Sequence, residues 1–76
     1  MVRELETIVL THAIEEHGLE GGDIGAVVHC FPEGAAFEVE FLTAEGKTIV
    51  LLTLKESDVR ALGGSEILHV REFTPV

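Results

Sequence analysis

Residues 36–42, Ala36-Phe37-Glu38-Val39-Glu40-Phe41-Leu42, alternate bulky apolar with acidic side chains, and few folds accommodate that pattern. Successive side chains of a strand point to opposite faces, so Phe37, Val39 and Phe41 share one face and Glu38 and Glu40 the other. The residues before it complete a motif. Gly21-Gly22-Asp23 turns the chain into residues 24–31, a mostly apolar second strand, and Pro32-Glu33-Gly34 closes a short turn into the third. Gly25, inside that second strand, marks either a bulge or a close approach of backbone.

Residues 43–47 read as a hairpin turn leading to a fourth strand over 48–54. With Glu45-Gly46 as a two-residue loop, Phe41 lies opposite Val50, Val39 opposite Leu52 and Phe37 opposite Leu54. All six then line one core, and a slip of one residue would reverse the fourth strand. The opposite face carries Glu38, Glu40, Leu42, Ile49, Leu51 and Thr53. That outer face is therefore not polar throughout.

The remaining segments fit around this motif. Residues 5–11 form a first strand rich in β-branched side chains. Residues 12–22 form a polar loop with three glycines, pinned by Ile14 and Leu19, with room for one helical turn around residues 14–17. Residues 55–60 suit a 3₁₀ turn, because Ser57 and Asp58 bond readily to nearby backbone. A short fifth strand follows over 59–62, then a Gly63-Gly64-Ser65 hinge. Beyond it Ile67, His69, Arg71 and Phe73 point one way and Leu68, Val70 and Glu72 the other. The expected architecture is all-β: a small five-stranded barrel over residues 1–62 and an extended C-terminal arm over 63–76.

A chain of 76 residues supports one domain with a core only just large enough. With no Trp or Tyr, that core must come from Val, Ile, Leu and the four Phe. The net charge is −9, and its distribution is lopsided. Residues 1–46 hold ten acids and one base, whereas residues 47–76 hold four of each. An acidic half disfavours a phosphate-backbone partner, which needs cations to displace counterions, and suits a basic protein. A single cysteine makes no internal disulfide, the first residues lack a basic segment followed by an apolar run, and the longest apolar run is residues 49–52. A cytoplasmic protein with no membrane segment is expected.

No motif for catalysis or a cofactor stands out. His12 and His17 share a loop with Glu15 and Glu16, but two histidines five residues apart without a third firm ligand are not a metal pattern. His29 and Cys30 are adjacent on a strand and point to opposite faces. Cys30 sits among apolar neighbours, as a small buried hydrophobe does. Glu38 and Glu40 share a face, which solvated strands also produce. Residues 22–25 precede no helix whose N-terminus could cradle an anion. No metal, no cofactor and no enzymatic activity are expected.

The order of strand, long loop, three meandering strands, 3₁₀ turn and short strand resembles SH3-like barrels. Residues 19–28, Leu-Glu-Gly-Gly-Asp-Ile-Gly-Ala-Val-Val, resemble the loop and strand of KOW-type modules of ribosomal and transcription proteins. Nucleic-acid-binding members of that type use basic loops, whereas this loop holds Glu15, Glu16, Glu20 and Asp23. Nearly the whole chain also resembles a family of short bacterial proteins known only as a domain of unknown function. The matching stretches are residues 5–11, 16–19, 22–29, 37–41, 53–60 and 69–72. This resemblance implies the fold and lends no activity.

The function expected from these features is a non-catalytic, acidic protein-interaction module. Its partner would be a basic protein, neutralised as by an antitoxin, or a second copy. Glu38, Glu40, Leu42, Ile49 and Leu51 form the candidate surface, an apolar patch with an acidic border. The alternatives are a KOW-like nucleic-acid-binding barrel and an accessory domain of a larger enzyme.

Overall fold

All five expected strands form: β1 (Thr7–Leu10), β2 (Ile24–Cys30), β3 (Ala36–Leu42), β4 (Thr48–Lys55) and β5 (Val59–Ala61). The computed structural model describes residues 5–76, so the first four residues of the expected 1–62 unit lie outside the described ones. The strands make one antiparallel sheet in the order β4-β3-β2-β1-β5. Two 3₁₀ turns, Glu15–His17 and Glu56–Asp58, fall where the polar loop and the Ser57-Asp58 segment place them. Among the described residues there is no α-helix, and hence none long and apolar enough to cross a membrane. No ladder joins β4 to β5, so backbone hydrogen bonds do not close the sheet into a barrel. β5 is only three residues long and pairs with β1 on one side.

The β3–β4 register is the one that alternation predicts, with Phe37 opposite Leu54, Val39 opposite Leu52 and Phe41 opposite Val50. The turn itself differs. Thr43 N–H donates to Lys47 O (2.9 Å), so the loop has three residues, and Gly46 takes the left-handed φ of 87°. A bulge between Phe41 and Leu42 absorbs the extra residue and restores the core pairing. Ile49, the extra residue of that bulge on β4, is half-buried against the core instead of exposed on the outer face.

Phe37, Val39 and Phe41 are buried with Ile8, Leu10, Leu19, Val27, Leu54 and Val59 in one cluster. Gly25 is buried beneath them. A Cβ there would lie 2.6 Å from Val39 Cγ1 and 2.9 Å from Phe41 Cε2, so this glycine marks close approach. The β2 register shift falls further along, between Val27 and His29. The long loop is pinned as expected, with Ile14 and Leu19 exchanging both backbone hydrogen bonds (2.9 and 3.1 Å).

Asp58 ties the end of β1 to the second 3₁₀ turn. Its carbonyl accepts from Thr11 N–H (3.0 Å) and its carboxylate from Lys55 N–H (2.9 Å). Its other carboxylate oxygen lies 2.7 Å from His12 Nε2, while His12 Nδ1 lies 2.9 Å from Ala13 O. Both ring nitrogens thus face acceptors, which favours the doubly protonated imidazolium. The Asp58 hydrogen bond and then the Ala13 carbonyl raise the His12 pKa, and the same His12 bond with the Lys55 N–H lowers that of Asp58.

The linkage sign follows from those directions. The His12 contribution is complete below its ordinary value of 6.5 and is lost as pH rises through the raised one. The Asp58 contribution is complete above 3.8 and is lost as pH falls through the lowered one. Thermal denaturation should therefore show His12→Ala to be destabilising between those limits and nearly neutral at pH about 9. The effect is small, because the pair is solvent-exposed. An equal loss at both pH values would contradict the pairing.

Candidate interaction surface

The outer face of β2, β3 and β4 is built from the residues that alternate with the core set. Across it, His29 pairs with Glu38 and Glu38 with Thr53, and in the next row Ala26 pairs with Glu40 and Glu40 with Leu51. Thr48, opposite Leu42, donates its hydroxyl to Glu40 Oε2 (2.7 Å). Glu38 and Glu40 are half-buried, while Leu42 and Leu51 are 45% and 50% exposed. Four of the five candidate residues, Glu38, Glu40, Leu42 and Leu51, therefore share this face. The fifth, Ile49, is drawn toward the core by the bulge.

The C-terminal arm forms no strand and folds back toward one end of this face. Arg71 holds it there. Its Nε donates to Asp23 Oδ1 (2.9 Å), and its Nη2 donates to Asp23 Oδ2 (2.6 Å) and to Gly18 O (3.0 Å). Asp23 also accepts from Glu20 N–H (2.8 Å). Burial works to raise the Asp23 pKa, but the Arg71 hydrogen bonds and the Glu20 N–H outweigh it and hold the carboxyl below its ordinary value. Phe73 is half-buried near Gly18, where an added Cβ would lie 3.2 Å from its ring.

Between arm and sheet lies a cleft of about 280 Å³, lined by Ile24, Leu42, Ile49, Val70 and Phe73 among others. The arm thus reaches the Leu42 and Ile49 end of the candidate patch, while Leu51 lies outside the cleft. Of the four arm residues expected to point one way, His69, Arg71 and Phe73 line the cleft, whereas Ile67 is 93% exposed. Replacing Arg71 by Lys removes the bidentate fork but keeps the charge. We expect Arg71→Lys, and more so Arg71→Ala, to raise hydrogen exchange and proteolysis in residues 66–76. Global stability should fall by only about 1 kcal/mol, since both partners remain partly solvated. Unchanged exchange in the arm would mean that Phe73, not Arg71, holds it.

The Asp23–Arg71 pair was not foreseen from sequence, although a signal existed. Arg71 is the single Lys or Arg in residues 63–76, and Asp23 is the acid that follows the Gly21-Gly22 turn. Among the described residues, no three His, Cys, Asp or Glu side chains converge as a metal-binding set. His12 turns to Asp58, and His17 lies 3.7 Å from Glu16. What this geometry offers is contact: a shallow apolar strip with carboxylates beside it.

A family model described as a domain of unknown function, DUF4926, matches residues 4–61, which takes in every strand and ends where β5 ends. No curated protein and no solved structure matches the chain.

Proposed function

The chain belongs to the DUF4926 family, which lends it no activity, and from its own surface we propose a non-catalytic module that binds and neutralises a basic protein in the cytoplasm, as an antitoxin does. One observation carries the reading. Leu42 and Leu51 stand about half exposed on the outer strand face, in a sheet that buries its other face, with Glu40 opposite Leu51 and Glu38 in the adjoining row. An apolar centre beside carboxylates suits a partner whose own apolar patch is rimmed by Lys or Arg. The acidic first half of the chain adds long-range attraction, which speeds encounter with a cation-rich protein.

The test is a calorimetric titration against the product of the adjacent gene. A complex that weakens with added salt is expected. Glu38→Lys with Glu40→Lys, and separately Leu51→Lys, should each cost about tenfold or more in affinity, roughly 1.4 kcal/mol. No heat of binding, or affinity indifferent to all three changes, would remove this reading.

A further inference from the structure

Residues 67–70, Ile-Leu-His-Val, are presented to solvent in an unusual way. Ile67, Leu68 and Val70 are 93%, 62% and 87% exposed, and among the described residues none of the four makes a backbone hydrogen bond to another backbone group. Yet the segment is tethered at both ends. On one side Glu66 accepts two hydrogen bonds from Arg60 (2.9 and 2.7 Å) and one from Gly63 N–H (2.6 Å). On the other side stands the Arg71 clamp on Asp23 and Gly18. Two ion pairs thus hold a short apolar stretch with its N–H and C=O groups available to a strand partner.

The same molecule has a sheet edge of matching character. β4 is a terminal strand of eight residues, uncharged from 48 to 54 and without proline. Its one charge, Lys55, stands at the very end, so residues 48–54 carry none of the charges that usually guard an edge. The other edge, β5, is only three residues long and carries Arg60, already bound to Glu66. From this juxtaposition we infer that residues 67–70 are an intermolecular strand that adds to the β4 edge of a second copy of the chain. Exchanged both ways about a two-fold axis, the arms would link two five-stranded sheets. An added strand beside β4 also covers the exposed side of Leu51 with alternate arm residues. The clamps reduce the ordering cost of pairing, because the segment is already restrained.

Charge supplies a distinguishing sign. Each copy carries −9, while the pairing segments are uncharged, so this self-association should tighten as salt screens the repulsion. Binding to a basic protein has the opposite salt dependence, so either idea can fail without the other.

The experiment is sedimentation equilibrium of the full chain from micromolar to millimolar concentration, at roughly 0.05 and 0.5 M salt. A dimer favoured by salt is expected. Ile67→Lys with Val70→Lys, at positions 93% and 87% exposed, should raise the dissociation constant at least tenfold and move the unfolding temperature of the monomer by little. Leu68→Pro, which removes a strand donor, should do the same. In mixed labelled and unlabelled dimers, isotope-filtered NMR contacts should connect residues 67–70 with β4. A monomer throughout, or a dimer that survives both variants, overturns the inference.

Discussion

Phe41→Ala should leave the protein without a stable folded state at physiological temperature. Phe41 is buried in the central cluster, opposite Val50 and beside the bulge that sets the hairpin register. Removing a buried phenyl ring costs about 3–5 kcal/mol, part transfer and part cavity. A domain of this size has a total stability of roughly 4–11 kcal/mol, and the unbalanced negative charge draws on it further. The melting temperature should fall by about 15 °C or more, followed by circular dichroism with urea titration as a check. Phe41→Leu, which keeps most of the volume, should lose about a third of that. A fall of less than about 5 °C for Phe41→Ala would mean that the cluster does not depend on this ring.

The second large effect is expected at Gly25. Elsewhere a Gly→Ala exchange can stabilise by about 0.4–1 kcal/mol through the unfolded chain. Here the new methyl would meet Val39 Cγ1 at 2.6 Å and the Phe41 ring at 2.9 and 3.1 Å. Both neighbours are themselves buried and cannot withdraw. Overpacking of this kind costs about 1–3 kcal/mol, and Gly25→Val should cost more. The cause can be isolated with a double-mutant cycle. Val39→Ala makes room, so Gly25→Ala with Val39→Ala should be less destabilised than the sum of the single changes by about 1 kcal/mol or more. Strict additivity would show that the loss arises from something other than this contact.

The legible part of the fold and the hidden part divide along physical lines. The six core residues of the β3–β4 hairpin were readable because a period of two admits only two assignments, and one of them buries Glu38 and Glu40. The bulge at Ile49 was not readable, since one residue more in the turn and one more in the strand cancel in the pairing of everything beyond them. Its consequence fell on the candidate surface, where Ile49 left the outer face and Leu42 and Leu51 stayed. Leu19 and Ile14 were legible as loop anchors because they are the large apolar residues of a polar stretch. The partners of His12 and Arg71 were not, because a lone charge has no period to betray where it goes.

Local order in the chain determined which side chains face inward, where the turns fall and that the strands form an antiparallel meander. Those properties depend on neighbours within a few residues, and the alternation of Phe, Val and Glu states them directly. Only the tertiary structure decided that the sheet remains unclosed between β4 and β5 and that the arm lies against the turn that precedes β2. The contact responsible joins residues 48 positions apart, Asp23 and Arg71, and nothing between them in sequence encodes the distance. Long-range ion pairing is settled by the shape the strands have already made.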